Sequence, residues 1–275
     1  IIGNLLNWTD SFVIGYFMTV TDVGIYNSVV PIASLLLIPS VIFMQLFFPL
    51  ITKEYSKKNF RLIKDLSQQI GKWIFMVNLP LLLIIILFPG VIINILFGKE
   101  YLIAENTLRI LSLGLFSMSI SAISTYLLSM VGKSKIILKD SIIFSVINLI
   151  LNLILIPLYG LNGAAFSTTV SYVLLSFIFI YQANKELGII PLRRKVIRIF
   201  CSSLIPLVII CLLKQFILVN TFSLILMSIL FLTTYILLIF LTKSLDNNDF
   251  LVLRGLKKYI LRKTTPDTSQ DFFKN

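Results

Sequence analysis

Apolar blocks of about 20 residues recur along the chain, the length that a helix needs to cross a hydrocarbon core of roughly 30 Å. A membrane barrel would instead require strands of about 10 residues with alternating polarity. Runs such as LPLLLIIILF, residues 79–88, do not alternate. Of the 275 residues, 57% are hydrophobic and 13% are charged, whereas about a quarter are charged in a soluble domain. The sequence therefore predicts an all-α, polytopic membrane helix bundle.

The hydropathy pattern divides the chain into eight predicted membrane spans. They are Ile2–Thr19, Tyr26–Ile51, Ile70–Phe88, Leu108–Val131, Ile136–Leu158, Gly163–Gln182, Ile199–Leu213 and Phe222–Thr242.

The basic residues are distributed unevenly over the connections between these spans. Of the 24 Lys and Arg residues, 21 fall on alternate connections, including the loop Lys53–Lys72, and only Lys99, Arg109 and Lys214 fall on the other side. Since basic residues concentrate in cytoplasmic loops, the pattern predicts a multi-pass protein of the cytoplasmic membrane with both ends of this segment in the cytoplasm. The net charge of +12 is then explained by topology and lipid headgroups, and no nucleic-acid partner is predicted.

The sequence contains none of the residue patterns expected of an enzyme. Histidine is absent, which removes the usual general base and metal ligand. Cys201 and Cys211 lie on one predicted helix, too far apart to form a disulfide with each other. The tripeptide GKS at residues 132–134 lacks the preceding glycine of a phosphate loop. We therefore predict no catalytic residue, no metal site and no cofactor.

Asp10 is the acid that the sequence places well inside a predicted span. An ionised carboxylate near the bilayer centre costs about 2.5–3.5 kcal/mol on insertion scales, so such residues usually face a cavity or a partner. Asp10 is interpreted either as an acid of a central cavity, contacting a coupling cation or a headgroup, or as a carboxylate paired within the bundle.

Several asparagines also lie within predicted spans. Asn148 and Asn152 are four residues apart and share one face of a helix. Such side chains either form hydrogen bonds between helices or line a cavity. The candidate transport residues are Asp10, Asn7, Asn78, Asn148 and Asn152.

The uncharged stretch LIPLYGLNGAAFST, residues 155–168, connects two of the spans. Pro157 and Gly160 favour the end of one helix and a tight turn. Small residues then begin the next helix, and small residues let membrane helices approach closely. We expect this turn to be short and buried among its neighbours.

Four stretches together resemble a known family. They are DSFVIGYFMTVTDVGIYNSVVPI (residues 10–32), FFP (47–49), LFGKEYLIAENTLRILSLG (96–114) and NLILNLILIPLYGLNGAAFSTTVSY (148–172). In this order and spacing they are similar to the Wzx-type polysaccharide flippases of the MOP exporter superfamily.

The resemblance implies two six-helix lobes that face each other across a central cavity, followed by two extra helices. Residues 1–188 would form the second lobe, residues 189–245 the extra pair, and residues 246–275 a basic cytoplasmic tail. The chain starts with Ile1 rather than Met, and we expect it to be a fragment that lacks the first lobe. No basic residue lies in the middle of a span, so a clamp for a lipid diphosphate is expected in that missing lobe.

The function that the resemblance implies is translocation of lipid-linked oligosaccharides by alternating access, with membrane lipids and this substrate as partners. One alternative is a small-molecule/cation antiporter similar to the MATE transporters, which would favour more acids in the cavity. Another is a membrane glycosyltransferase or ligase, which would require a cluster of acids or histidines on a loop.

Overall fold

The structure, a computed structural model, describes residues 8–191, 195–216 and 220–242. These ranges are helical apart from short connections. The helices are α1 (Thr9–Phe17), α2 (Val20–Ser34), α3 (Ile38–Ser56), α4 (Phe60–Leu87), α5 (Pro89–Leu96), α6 (Glu105–Met130), α7 (Ser134–Tyr159), α8 (Leu161–Leu187), α9 (Lys195–Phe216) and α10 (Thr221–Leu241). Short 3₁₀ segments, Leu35–Leu37 and Lys99–Ala104, precede α3 and α6.

Seven helical segments in the described ranges are long and apolar enough to cross a membrane. They correspond to the second to eighth predicted spans, with α2 and α3 joined into the single segment Val20–Ser56, which confirms the prediction of a polytopic helical bundle. The first predicted span lies partly outside the described residues, as do Asn7 and the predicted basic tail; its described part contains α1.

Several basic residues that the charge count placed in the loop Lys53–Lys72 lie inside helices: Lys53 in α3, and Arg61, Lys64 and Lys72 in α4. Lys72 was assigned to a loop, but α4 begins at Phe60, and Lys72 is a buried side chain inside this helix. The assignment was wrong because α4 contains 28 residues, more than the ~20 that cross the hydrocarbon core. Its first turns therefore continue the helix beyond the apolar segment.

Local sequence signals explain where the helices near Asp10 begin and end. Thr19 and Asp22 form a capping box at the start of α2, in which each side chain accepts a hydrogen bond from the other's backbone N–H. Gly160 separates α7 from α8 with φ +57°, a backbone conformation that favours glycine. The hairpin is consequently reduced to one residue, which confirms the expected tight turn. The expectation that this turn is buried is wrong, because Leu158 and Tyr159 before it are exposed.

Small residues allow α6, α7 and α8 to pack closely. A Cβ atom at Gly163 would overlap with the backbone carbonyl of Leu155 in α7. A Cβ atom at Gly114 in α6 would lie 2.8 Å from the Cα atom of Thr169 in α8. Backbones that approach this closely gain dispersion contacts, which are a main source of helix association in lipid.

Helices α9 and α10 form a hairpin that packs mainly against α4. Phe231 and Tyr235 of α10 lie in an apolar cluster with Phe75 and Leu79 of α4. The hydroxyl of Tyr235 donates a hydrogen bond of 3.0 Å to the backbone oxygen of Met76. The opposite faces of the hairpin expose large apolar side chains, as expected for helices in contact with lipid.

Gly163→Ala tests the close packing of α7 and α8. We expect it to lower the free energy of unfolding by about 1–3 kcal/mol, because the added methyl group has to push two backbones apart. The measurement is a titration with a denaturing detergent, followed by circular dichroism. Gly24→Ala is the matched control, since a Cβ atom there meets nothing within 4 Å. Equal effects of the two substitutions would contradict the packing described.

Candidate functional site

Asp10 is buried where four helices meet. It lies in the first turn of α1, and its carboxylate accepts three hydrogen bonds from the other helices. The hydroxyl of Tyr26 in α2 donates to Oδ2 at 2.7 Å. The hydroxyl of Thr168 in α8 donates to the same oxygen at 2.6 Å. The amide of Asn152 in α7 donates to Oδ1, also at 2.6 Å.

A second layer of hydrogen bonds links these donors to one another. The Nδ2 atom of Asn148 donates to the hydroxyl of Thr168 at 3.0 Å. The Nδ2 atom of Asn152 also contacts Oδ1 of Asn148 at 3.2 Å. We call Asp10, Tyr26, Asn148, Asn152 and Thr168 the Asp10 cluster. It connects α1 and α2 with α7 and α8 through side chains alone.

The Asp10 cluster holds a carboxylate by means of neutral groups. Asp10 forms no ion pair with a Lys or Arg of the described residues. All three neighbours donate to it, and an ionised carboxylate has only acceptor sites. The arrangement therefore leaves the Asp10 carboxylate with neutral partners and without a basic one among the described residues.

The Asp10 cluster also contains a buried acceptor without a donor. The Oδ1 atom of Asn152 is buried and has no hydrogen-bond partner in the part of the chain that the structure describes. Buried polar atoms of this kind are uncommon, and each requires an explanation. Here the unpaired oxygen belongs to the same amide whose nitrogen contacts Asp10. Rotation of that amide would direct Oδ1 toward the carboxylate, and the two oxygens would then both face a single point.

The oxygens of the Asp10 cluster fit a small cation of low charge. Carboxylate, amide and hydroxyl oxygens are ligands of hard cations. Only one of the five side chains is a carboxylate, and the described residues contain no group of three or more His, Cys, Asp or Glu side chains that could hold a metal ion. A proton or a monovalent cation would match the single negative charge.

The sequence-predicted residues are only partly brought together. Asp10, Asn148 and Asn152 lie in one cluster, and the two asparagines share a helix face as expected. Asn78 lies elsewhere: it is buried in α4 and donates a hydrogen bond to Ser119 of α6. Asn7 is outside the described residues.

Two members of the Asp10 cluster were not among the predicted site residues. Tyr26 and Thr168 lie within the stretches that carry the family resemblance, but neither is unusual for a membrane helix. The segment around Thr168 was recognised for its small residues. Those small residues bring α8 close to α7, and this proximity places the Thr168 hydroxyl within reach of Asn148 and Asp10.

Comparisons with known proteins identify relatives for most of the chain. The family model MatE matches residues 1–154. The chain is 32% identical over 210 residues to "Uncharacterized membrane protein MJ1068" of Methanocaldococcus jannaschii, covering 74% of this chain and 41% of that protein. It is 30% identical over 171 residues to "Probable low-salt glycan biosynthesis flippase Agl15" of Haloferax volcanii, covering 62% and 36%. It is 28% identical over 179 residues to "Putative O-antigen transporter" of Shigella flexneri, covering 63% and 41%.

The fold is similar to that of a solved transporter. "Lipid II flippase MurJ, inward closed conformation" superposes with a TM-score of 0.60 at 19% sequence identity, covering 83% of this chain and 51% of that one. The chain therefore has the fold of about half of that molecule. It likewise spans less than half the length of the curated relatives that it matches.

Thr168→Val tests whether the Asp10 cluster stabilises the bundle. We expect a loss of about 1–2 kcal/mol in the free energy of unfolding, because Asp10 loses one donor and Asn148 loses its acceptor. In an Asp10→Asn background the same substitution should lower the free energy of unfolding by less. A double-mutant cycle in denaturing detergent measures this difference. Thr233→Val is the control, since that hydroxyl is exposed and bonds to Leu230 of its own helix. Additive effects would show that Thr168 and Asp10 are not coupled.

Proposed function

The chain belongs to the MatE family, and on this basis we propose that it forms part of a flippase that carries lipid-linked oligosaccharides across the cytoplasmic membrane. The names of two relatives support this proposal, since one is described as a glycan biosynthesis flippase and the other as an O-antigen transporter. The fold shared with a lipid flippase is consistent with it. Such transport moves a molecule between leaflets without breaking a covalent bond.

We infer that the described helices form one lobe and an added hairpin. Helices α1 to α8 would correspond to the second six-helix lobe, within residues 1–188, if α2 and α3 count as one segment and the short α5 is left out. Helices α9 and α10 would correspond to the extra pair, within residues 189–245. The separate packing of the α9–α10 hairpin against α4 supports this division. A transport path between two lobes would require a further lobe facing this one.

The Asp10 cluster is the observation that carries the mechanism. A cation that binds between Asp10 and the rotated amide of Asn152 would neutralise the carboxylate and draw α1 toward α7. Loss of the cation would leave Asp10 held by its three neutral donors. Two arrangements of one cluster, with different affinity for the cation, are the requirement for coupling ion binding to a conformational change.

The Asp10 cluster is also compatible with the alternative function, a small-molecule/cation antiporter. Coupling to a cation is a feature that both functions share, so the cluster does not separate them. The single carboxylate and the relatives associated with glycans favour the flippase. The identity of the transported molecule distinguishes the flippase from the antiporter. The experiment with Asp10→Asn therefore measures glycan export directly.

Asp10→Asn tests the proposed coupling. We expect at least a tenfold decrease in glycan displayed at the surface of cells that carry the complete gene, because an amide cannot supply the negative charge that attracts a cation. The measurement is surface labelling of the glycan in a strain without its own flippase. The amount of protein in the membrane should remain unchanged.

Asp22→Asn is the matched control for this experiment. Asp22 is a partly exposed acid in the first turn of α2, where it accepts a hydrogen bond from the backbone N–H of Thr19, and the amide oxygen of asparagine can accept the same bond. Full glycan display by the Asp10 variant would refute the coupling role of Asp10. Absence of display even with the unaltered protein, together with cation-dependent export of a small molecule, would favour the antiporter.

The proposed orientation can be tested by labelling cysteines. Val20→Cys and Ser56→Cys place a thiol at opposite ends of the segment Val20–Ser56, in a background where Cys201 and Cys211 are serine. If the Lys-rich side is cytoplasmic, a membrane-impermeant maleimide should label Val20→Cys in intact cells and Ser56→Cys only after lysis. The reverse pattern would contradict the orientation.

A further inference from the structure

A cavity of about 420 Å³ lies at the end of the bundle where α4 and α9 end and α6 and α10 begin. Its lining includes Lys99, Arg109 and Lys214. These are the three basic residues that the charge pattern separates from the other 21. The few cations on this side of the bundle are therefore gathered at a single place, which we call the cationic pocket.

The three cations come from separate parts of the chain. Lys99 follows α5, Arg109 lies in the second turn of α6, and Lys214 lies in the last turn of α9. Lys214 reaches the cationic pocket because the α9–α10 hairpin packs against α4. The convergence is thus a product of tertiary packing and does not follow from proximity in the sequence.

Two of the cations are positioned by backbone oxygens at the end of α4. The Nζ atom of Lys214 donates to the carbonyl of Leu87 at 2.7 Å, and Nε of Arg109 donates to the carbonyl of Ile86 at 3.2 Å. Lys214 also lies 5.6 Å from the ring centre of Phe88. The carbonyl end of a helix favours positive charge. These contacts orient the cations without neutralising them.

The charges lining the cationic pocket do not balance. Glu105 is the one acid in the lining, and it lies 3.6 Å from Arg109. Lys214 has only neutral partners, and Lys99 has no hydrogen bond or ion pair with the described residues. Three cations and one carboxylate leave an excess of two positive charges. Asn94, Asn220 and Thr221 add neutral polar groups to the wall.

Exposed apolar side chains lie near the lining residues in the sequence, at the adjoining ends of α5, α9 and α10. Phe216 is 85% exposed and follows Lys214 by two residues, while Phe222 is 75% exposed and adjoins Thr221. Leu96 is also exposed, close to Asn94. The cationic pocket thus lies at the end of helices whose outer faces are apolar, and this combination fits a lipid, which joins a charged headgroup to apolar chains.

We propose that the cationic pocket binds the phosphate headgroup of an anionic membrane lipid. The Lys and Arg side chains contact the phosphate oxygens, with Arg109 offering the N–H groups that its contacts with Ile86, Asn106 and Glu105 leave free. The acyl chains lie along the exposed apolar faces of α9 and α10. The bound lipid connects the α9–α10 hairpin with α4 and α6, and this role holds whatever molecule the protein transports.

The test measures lipid binding to the whole 275-residue chain in a neutral detergent. Dioleoyl phosphatidic acid is titrated, and native mass spectrometry gives its dissociation constant, with phosphatidylcholine as the lipid of no net charge. Each cation removed should weaken phosphatidic acid binding about fivefold, the effect of one Lys or Arg near a charged lipid surface. Lys99→Gln should therefore weaken it about fivefold, and Lys99→Gln with Lys214→Gln roughly 25-fold. Lys99→Gln tests the proposal with little effect on the fold, because this side chain has no hydrogen bond or ion pair within the described part of the chain.

Lys64→Gln with Lys139→Gln is the matched control. Both lysines are exposed and lie in the first turns of α4 and α7, at the opposite end of the bundle. This pair should retain the unaltered affinity within twofold. Equal losses in both double variants would overturn the proposal, since they would show a general charge effect.

Competition with inorganic phosphate distinguishes the two sources of the phosphate group. The lipid should remain bound when inorganic phosphate is added at a hundredfold excess. If phosphate displaces the lipid from the unaltered protein, and the Lys99 and Lys214 variants bind the lipid more weakly as expected, the site binds a soluble anion. That result would overturn the lipid assignment. Lys99→Arg, unlike Lys99→Gln, should bind phosphatidic acid as tightly as the unaltered protein. This result would confirm that the site requires a positive charge at this position.

Discussion

The described structure depends on one constraint: a polar group inside a bilayer has to find its partners within the protein. Asp10 shows what this requirement produces. Its carboxylate is held by three donors from three other helices, so its presence fixes how α1, α2, α7 and α8 are arranged around it. An apolar residue at this position would leave the three donors without their shared acceptor.

Close packing is what allows these polar contacts to form. Gly163 lets α8 approach the end of α7, and Gly114 lets it approach α6. Thr168 and Asn152 can then reach the same carboxylate from different helices. Because every member of the Asp10 cluster lies on a helix, their positions are set by backbone packing. A site of this kind is well suited to a small cation, since modest helix movements change the positions of several ligands together.

The Asp10 cluster and the cationic pocket hold charges of opposite sign. Within the bundle a negative charge is held by neutral donors. At the end of the bundle, positive charges are held by neutral carbonyls of α4 and by the ring of Phe88. Both arrangements leave charge unneutralised, and unneutralised charge is what allows a mobile ion or a charged headgroup to bind. The two sites involve different helices, so the proposed cation coupling and the proposed attachment of the α9–α10 hairpin by a lipid would be separate.

Most of the secondary structure follows from the sequence, because hydropathy is a local property that adds up along a segment. The spans from Tyr26 onward, the tight turn at Gly160 and the shared face of Asn148 and Asn152 could all be predicted. The start of α4 at Phe60, ahead of the predicted span Ile70–Phe88, could not, since hydropathy marks the apolar segment and not the length of the helix.

Tertiary structure alone decided which polar residues meet. Nothing near Tyr26 in the sequence indicates that its hydroxyl reaches Asp10, or that Asn78 turns toward Ser119 instead. Nor does the spacing of Lys99 and Lys214 predict a common pocket. Such contacts depend on the rotation of each helix about its axis and on its neighbours, and these are set by the packing of the whole bundle.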